Sequence, residues 1–425
     1  MANKQADHRS RILYYSDCPF FAGSENMIAN FSASEGLRSD ASILLLHRRN
    51  PVYTRGLRQR ACFSMDEVYS LWLYHANPGM KYSKPIIRLI WRLLALVGRH
   101  LFFWADVVLL WRYIRRIRPD LVHINNGGLP GAMTCTAAAL AARLCGVRSI
   151  VYVVNNLAVP YRSFSRFVDW PLERFLIASV SLFVNGSAYA SLRLGQVLRI
   201  GKGHRLCLPN GIKPRVVTRS RAEVRAEWAI SEECLVIGSI ALLEWRKGHS
   251  ILLDAFRRVI DKLPSGKQVH LIIEGFGPEA ENLHQQAKAL GITDWVSFIG
   301  RAEYVFDCYQ AFDIYAFSSL SNEDFPNVIL ESMSQGLPVV ATRVAGVPEQ
   351  IVDNESGLLV PPGDSESLAI ALLKVILNGE LRKCIGKEAK ARFEKLFTHT
   401  VAVERYRDLY RALVNFPDRL LWRIK

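Results

Sequence analysis

The sequence has no uninterrupted apolar segment of the length that crosses a membrane. A spanning helix needs about 20 predominantly apolar residues. The first eleven residues are polar and lack the apolar core of a signal peptide. The sequence therefore argues against an integral membrane protein and predicts a cytoplasmic one. The most apolar stretch, residues 86–114, is interrupted by the charged residues Arg88, Arg92, Arg99, Asp106 and Arg112.

The cysteines form no pattern. Eight are scattered over the 425 residues, with no Cys-x-x-Cys pair and no Cys/His cluster. This argues against a structural zinc site and a disulfide-stabilised secreted domain, and it fits a reducing compartment. A dinucleotide fingerprint is also missing, because the loop DCPFFAGSEN after the first predicted strand has one glycine where Gly-x-Gly-x-x-Gly needs three. That argues against a dehydrogenase.

Acidic residues are scarce in the first half of the chain. Residues 1–205 contain 27 Lys and Arg against 11 Asp and Glu, whereas residues 206–425 contain 27 against 28. The excess behind the formal net charge of +15 therefore lies in the first half. Such asymmetry indicates an anionic partner, either a nucleic acid or a membrane surface.

An apolar and basic segment between residues 81 and 116 favours the membrane. On a helical wheel its first five cations fall within an arc of about 80°, opposite an apolar face. This pattern suits an interfacial helix on anionic lipid, and the alternative is an ordinary packed helix with Arg stems along apolar surface. We expect no nucleic acid, because no nucleic-acid-binding module is recognisable. The residues are Lys81, Lys84, Arg88, Arg92 and Arg99, opposite Ile86, Ile90, Trp91, Leu94 and Val97, and then Arg112, Arg115 and Arg116 beside Trp104, Trp111 and Tyr113.

Predicted strands and helices alternate along the whole chain. The segments Arg11–Ser16 and Cys234–Ile240 each open a run of strand, loop and helix. This order favours α/β architecture with parallel, doubly wound sheets. The sequence therefore predicts two Rossmann-like domains facing each other across a cleft. Their predicted bounds are 1–205 and 206–396, followed by a C-terminal helix within 397–425.

One candidate site lies in the loop after the first strand of the second half. Ligands of doubly wound sheets bind outside the carboxyl ends of the strands. There Arg246, Lys247 and Gly248 offer a guanidinium, an ammonium and a glycine that permits close backbone approach. Together they make a plausible diphosphate clamp. A solvated charged loop is the equally weighted alternative.

Two glutamates occupy another such loop and the helix after it. Glu323 precedes Pro326 and so lies in the loop, while Glu331 lies one turn inside the helix. A carboxylate pairs well with the vicinal hydroxyls of a ribose, and the N–H groups of Asn327 and Val328 at the helix start favour a phosphate. On spacing alone, surface carboxylates are the commoner explanation.

The second half also resembles a known family. In order from about residue 206 to residue 364 it contains LCLPNGI, GSIALLEWRKGHSILLDAF, IIEGFGPEAENL, VSFIGR and SLSNEDFPNVILESMSQGLPVVATRVAGVPEQIVDNESGLLVPPGD. These segments resemble the family-4 retaining glycosyltransferases of the GT-B fold. The resemblance implies that Glu323 contacts the donor hexose, Glu331 the donor ribose, and Lys247 the leaving diphosphate. Further donor contacts are implied at Gly275, Phe325, Pro326, Asn327 and Val328.

One position departs from the family pattern. Leu242 stands where the family's second phosphate-binding arginine usually lies, five residues before Lys247. Arg246 is the expected substitute, which leaves the arginine less well assigned than the lysine.

The first half resembles the family more loosely. The segment FAGSEN, with Gly23, is similar to the family's glycine-rich first loop near the donor phosphate and the acceptor. His123 and Asn125 lie where the family often has histidines, so a catalytic role for His123 and a substrate contact for Asn125 are candidates. A lone histidine at a strand end is more often structural.

The resemblance implies transfer of a hexose from a UDP- or GDP-sugar, with retention, to a saccharide or lipid-linked acceptor. The first domain would bind the acceptor at an anionic membrane, the second the donor, and the last helix would return to the first domain. Such an enzyme would serve cell-envelope, lipopolysaccharide or exopolysaccharide synthesis on the inner face of the cytoplasmic membrane. No Asp-x-Asp motif occurs, so no metal and no cofactor are expected. The alternatives are a nucleotide-sugar 2-epimerase and a non-catalytic sugar- or nucleic-acid-binding protein.

Overall fold

Parallel strands form the centre of both halves of the chain. The structure, a computed structural model, describes residues 9–18, 23–60, 68–71, 85–162, 164–300, 302 and 305–416. It contains two compact units. The first combines Met1–Leu208 with Val403–Lys425, and the second is Pro209–Ala402. The predicted roles of the two domains stay predictions.

The first unit is built on a seven-stranded sheet in the order β3-β2-β1-β4-β5-β6-β7, in which every recorded pairing is parallel. Its central strands, LVHINN and SIVYVV, are buried at every position, as a sheet covered on both faces requires. The strands are β1 (Ser10–Ser16), β2 (Ala41–Arg48), β3 (Val68–Leu71), β4 (Leu121–Asn126), β5 (Ser149–Val154), β6 (Leu182–Asn185) and β7 (Arg205–Cys207).

Helices connect these strands. The small-residue segment Met133–Leu144 forms α5, whose alanines have no exposed area and lie in the core of the first unit. The helices are α1 (Gly23–Ser32), α2 (Glu35–Arg38), α3 (Pro51–Arg60), α4 (Pro85–Ile117), α5 (Met133–Leu144), α6 (Phe164–Val168), α7 (Trp170–Ser179) and α8 (Ala188–Leu198).

The second unit contains a six-stranded parallel sheet in the order β10-β9-β8-β11-β12-β13. The predicted α/β class with two Rossmann-like parallel sheets is thereby confirmed. The strands are β8 (Leu235–Ile240), β9 (Val269–Glu274), β10 (Val296–Ile299), β11 (Ile314–Phe317), β12 (Val339–Thr342) and β13 (Leu358–Val360). The helices are α9 (Arg221–Glu227), α10 (His249–Lys262), α11 (Ala280–Ala289), α12 (Val305–Ala311), α13 (Asn327–Ser334), α14 (Val347–Gln350), α15 (Ser365–Leu377), α16 (Gly379–Leu396) and α17 (His399–Asn415).

From Val403 onward the last helix, α17, belongs to the first unit. The hydroxyl of Tyr410 lies 2.9 Å from that of Tyr14 in β1, and Arg407 forms a bidentate ion pair with Asp40 before β2. Ser149 at the start of β5 donates a hydrogen bond to the carbonyl of Leu413. Charged and polar contacts thus hold the helix against β1, β5 and the turn before β2.

Across the described ranges, no helix combines the length and the apolar character that crossing a bilayer requires. The 33-residue helix α4 is the longest of those given above. The side chains that carry the predicted basic and apolar faces of the 81–99 segment lie outside the described residues, so that prediction stays a prediction.

Candidate active site

The predicted clamp lies between β8 and α10. The chain leaves β8, makes a short 3₁₀ turn over Trp245–Lys247, and enters α10 through Gly248. Gly248 has a φ of +66° and serves as the N-cap of the helix. A Cβ at this position would lie 2.1 Å from the carbonyl oxygen of Ser318 in the neighbouring loop. Glycine is therefore required for both its backbone angle and its close approach.

We expect Gly248→Ala to destabilise the second unit by about 2–4 kcal/mol, because it combines backbone strain with a steric clash. The matched control is Gly266→Ala, since Gly266 also has a positive φ but its Cβ would meet no atom within 4 Å. The control should cost only about 1–2 kcal/mol. Urea unfolding measures both variants, and equal losses would contradict the role given to the Ser318 contact.

Glu323 connects the two predicted cations of the clamp. Its Oε1 accepts hydrogen bonds from Lys247 Nζ at 2.6 Å and from Arg246 Nη1 at 3.2 Å. The hydroxyl of Ser319 donates to the same oxygen at 2.8 Å, and Arg246 Nε is also bonded to Glu244 at 2.7 Å. The Glu323 side chain is buried, at 7% exposure. Arg246, Lys247 and Glu323, predicted from separate segments, therefore form one cluster.

The cluster is positioned by backbone contacts between its two loops. The amide of Leu320 donates to the carbonyl of Arg246 at 2.8 Å, and the Ser318 hydroxyl donates to the carbonyl of Lys247 at 3.0 Å. Thr342, at the end of β12, donates through its hydroxyl to the carbonyl of Ser319. An ammonium has three donor protons and the bond to Glu323 uses one. The arrangement thus holds a cation at the carboxyl ends of the strands, the edge at which doubly wound sheets bind their ligands.

Helix α13 supplies the second part of the site. It begins at Asn327 after the N-cap residue Pro326, which provides no side-chain cap. Its first N–H groups and its dipole suit a negatively charged group. Glu331 lies one turn inside, half-buried, and accepts a hydrogen bond from the buried hydroxyl of Tyr309 at 2.8 Å. Burial raises the pKa of Glu331, while Tyr309 and Arg215 act in the opposite direction.

The other predicted donor contacts of the second unit have mixed roles. Gly275 follows β9, with a φ of +149°, and its Cβ would lie 1.9 Å from the carbonyl oxygen of Ala241, so it allows two strand-end loops to touch. Phe325 is buried and its ring packs edge-on against Phe397. The Pro326 carbonyl accepts a hydrogen bond from Gln350. Phe325 therefore shapes the loop, and the ligand contacts predicted for Gly275, Phe325 and Pro326 stay predictions.

The catalytic role predicted for His123 does not agree with its position. His123 lies inside β4, 3% exposed, with Nδ1 2.7 Å from the hydroxyl of Tyr410 in α17. Its ring is 4.6 Å from that of Tyr14. Burial lowers the pKa of His123 to about 3, so it is neutral at physiological pH. The structure makes it a packing residue beneath α17.

Because the folded chain keeps His123 neutral, its protonation favours unfolding. The ordinary pKa is 6.5 and the folded one about 3, so the unfolded chain binds an extra proton between these values. The stabilisation is full above pH 6.5 and is lost as the pH falls. We expect a loss of about 3 kcal/mol by pH 4. The measurement is the free energy of urea unfolding from pH 7.5 to 4.5. In His123→Gln this free energy should fall less on acidification than in the unmodified protein, whereas His204→Gln, at an exposed site, should leave the fall unchanged. If acid destabilised His123→Gln as much as the unmodified protein, the buried, neutral state given to His123 would be wrong.

Two other residues of the first unit were predicted to contact substrate, and both lie after or near the end of a strand. The side-chain oxygen of Asn125, near the end of β4, accepts a hydrogen bond from Asn155 at 2.8 Å. Gly23 is the first residue of α1. Phe21 and Ala22, which belong to the predicted glycine-rich loop, lie outside the described residues. The substrate contacts of Gly23 and Asn125 stay predictions.

Four site residues were not predicted from the sequence. Ser319 binds Glu323, Tyr309 binds Glu331, Asn210 donates to the carbonyl of Phe325 at 3.3 Å, and Arg215 contributes positive charge near Glu331. Asn210 belongs to a Pro-Asn-Gly turn, and this turn was the one available signal. The other three are ordinary residue types without distinctive spacing.

No group of three or more His, Cys, Asp and Glu side chains suited to a metal ion occurs in the part of the chain that the structure describes. The contacts described above bring together two cations, a buried carboxylate between them, a helix N-terminus and a second carboxylate. These groups suit an anion next to a polyhydroxylated ring. With the two parallel sheets, they define a protein of two Rossmann-like units whose second unit carries this cluster at its strand ends.

Comparison with known proteins specifies the family. Residues 220–392 match the model described as Glycosyl transferases group 1. The chain is 35% identical over 201 residues to a D-inositol 3-phosphate glycosyltransferase of Corynebacterium jeikeium, covering 46% of this chain and 48% of that one. It is 33% identical over 185 residues to the lipopolysaccharide core biosynthesis glycosyltransferase LpsE of Rhizobium meliloti, covering 44% and 52%. The chain thus matches about half the length of these curated relatives.

A solved structure shows the fold. HepE of Anabaena, in complex with UDP and glucose, superposes with a TM-score of 0.74 at 20% identity, over 95% of this chain and 100% of that one. The GT-B class predicted from the sequence is confirmed. Within residues 220–392, the second unit is therefore similar to the glycosyl transferases group 1 family.

Proposed function

We propose that this protein is a retaining, metal-independent hexosyltransferase that uses a UDP- or GDP-sugar as donor. The observation that carries the proposal is the cluster of Lys247, Arg246 and Glu323 at the strand ends beside the start of α13. Its groups suit the two parts of such a donor. The cations and helix N–H groups match a diphosphate, and the carboxylates match sugar hydroxyls.

The chemistry follows from where charge develops. As the bond between the anomeric carbon and the diphosphate oxygen breaks, the electron pair leaves with the diphosphate and the sugar gains oxocarbenium character. Lys247, Arg246 and the start of α13 stabilise the departing charge, an effect that is usually the largest contribution to catalysis. Glu323 holds the hexose through its hydroxyls and positions Lys247. The acceptor hydroxyl then forms the new glycosidic bond on the same face and passes its proton to the departing diphosphate.

We further propose that the acceptor is a saccharide or a lipid-linked saccharide presented at an anionic membrane, as in cell-envelope, lipopolysaccharide or exopolysaccharide synthesis. The basic first half supports this, as does the relative LpsE, named for lipopolysaccharide core biosynthesis. Such an enzyme would act as a peripheral protein on the cytoplasmic face, with no nucleic-acid partner.

The test is a transfer assay with radiolabelled UDP- and GDP-hexoses and a bacterial membrane extract as the source of acceptors. We expect label from one donor to enter the lipid or saccharide fraction, with the anomeric configuration of the donor kept in the product. Formation of a new free sugar without any acceptor would instead identify an epimerase. Absence of both products from every donor would contradict the proposal.

A further inference from the structure

The middle of helix α4 carries large apolar side chains on its solvent side. Leu101, Trp104 and Val108 follow one another at helical spacing and are 70%, 46% and 49% exposed. The opposite side of the same turns, with Phe103 and Val107, is buried in the core of the first unit. The outward apolar stripe is therefore additional to the face that folds the helix.

A neighbouring helix widens this stripe. Phe175 of α7 is 41% exposed, and its ring meets that of Trp104 edge-on at 5.6 Å. Trp170 at the start of α7 is also exposed. We call Leu101, Trp104, Val108 and Phe175 the α4–α7 patch. A contiguous patch of large, exposed apolar side chains is typical of an interaction surface.

Basic residues border the patch. Arg112 and Arg115 continue the outward stripe of α4 over its next two turns, and Arg174 lies beside Phe175 in α7; all three are exposed. The Arg115 guanidinium lies 5.0 Å from the ring centre of Trp111, which keeps a cation at the edge of an aromatic surface. The partner must therefore combine apolar contact with negative charge.

Nearby acidic side chains are turned inward. Asp106 is the one acidic residue in the sequence of α4, and it is buried. Glu173 of α7 is buried and forms a bidentate ion pair with Arg166, which also contacts Asp169. Among the side chains of α4 and α7 that the structure describes, the exposed charge is therefore positive.

We infer that the α4–α7 patch is the surface by which the first unit docks on an anionic phospholipid bilayer. A bilayer interface offers apolar depth for Trp, Phe and Leu side chains and phosphate charge for the bordering arginines. A second copy of the chain fits less well, because a symmetric contact would bring the arginines of both copies together. A nucleic-acid backbone would leave the apolar centre without a partner. The docking surface itself is argued from exposure and charge. Only its purpose, to bring the enzyme to a membrane-bound acceptor, rests on the proposed function.

Flotation with vesicles tests the inference directly. We expect binding to phosphatidylcholine vesicles that contain phosphatidylglycerol, and much weaker binding to phosphatidylcholine alone or at high salt. The double variant Leu101→Ser/Trp104→Ser should bind at least about tenfold more weakly. Its matched control is Ile370→Ser/Leu377→Ser, which alters two similarly exposed apolar residues of α15 in the second unit.

A charge-reversal pair tests the basic border. Arg112→Glu/Arg115→Glu should weaken vesicle binding by at least about tenfold, whereas Lys387→Glu/Lys390→Glu, at exposed positions of α16, should change it little. Circular dichroism and UDP or GDP binding check that each variant is folded. Vesicle binding that is equal in the patch variants and the controls would overturn the inference. A dimer that the patch variants dissociate, with no vesicle binding, would also overturn it in favour of a second copy.

These outcomes are separable from those of the proposed function. Hydrolysis of a nucleotide-sugar in solution needs the second unit's site and no vesicle. Donor hydrolysis without vesicle binding would remove the docking surface and leave the enzyme. Vesicle binding that the patch variants abolish, without turnover of any donor, would leave the surface and remove the enzyme.

Discussion

Lys247→Ala is expected to reduce kcat/KM for the productive donor by about 10²–10³-fold. Removing one preorganised group that stabilises developing charge typically costs about 2–4 kcal/mol of transition-state stabilisation. The lost ammonium is the group 2.6 Å from Glu323 that we place against the leaving diphosphate. The measurement is steady-state release of nucleoside diphosphate from the donor.

Two comparisons make this prediction specific. Lys262→Ala removes an exposed lysine from the last turn of α10, the helix that follows Lys247, and should leave kcat/KM unchanged. The melting temperature of Lys247→Ala should stay close to that of the unmodified protein, because Glu323 keeps its bonds to Arg246 and Ser319. Near-normal turnover in Lys247→Ala would remove the clamp from the mechanism.

Glu331→Gln should raise KM for the donor by about 10–100-fold and change kcat much less. We place this carboxylate on the donor ribose, and hydrogen bonds to a charged acceptor contribute about 1.5–3 kcal/mol. Contacts that are equally strong in the ground state and the transition state affect KM and not kcat. The glutamine can still accept the hydrogen bond from Tyr309, so the local packing should survive. Direct titration with UDP or GDP measures the lost affinity.

The pH dependence of donor binding gives an independent check. Burial raises the pKa of Glu331, so on acidification it loses its charge at a higher pH than an ordinary glutamate. Nucleotide affinity should therefore fall as the pH falls. In Glu331→Gln this loss of affinity on acidification should be absent. The control Glu366→Gln, at an exposed position in α15, should keep the unmodified profile. A profile identical in both variants would show that Glu331 does not contact the nucleotide.

The local parts of the site could be predicted from the sequence because their signals are local. Gly248 follows two cations and allows the close backbone approach that was expected of it. Pro326 separates the loop of Glu323 from the helix of Glu331, as expected. The order of motifs in the second half then identified the family, and with it the GT-B fold. The Lys247–Glu323 contact joins residues 76 positions apart, and only the family resemblance indicated it.

The errors and omissions arise from long-range packing. His123 was a catalytic candidate because nothing near it in the sequence shows that α17 covers it, through Tyr410, 287 positions later. Tyr309 lies beneath Glu331 for the same kind of reason, since α12 and α13 meet only in the folded unit. The α4–α7 patch depends on which side of α4 faces the sheet. The sequence showed an amphipathic, basic segment but did not show which apolar residues remain outside.

The central claim is that the second unit activates a nucleotide-sugar. The most direct test is to incubate the protein with UDP-, GDP-, dTDP- and ADP-sugars and to measure nucleoside diphosphate release, first without acceptor and then with membrane extract. The account predicts release from a UDP- or GDP-sugar that is lost in Lys247→Ala and retained in Lys262→Ala. Release from no donor under either condition, or release that survives Lys247→Ala undiminished, would contradict it.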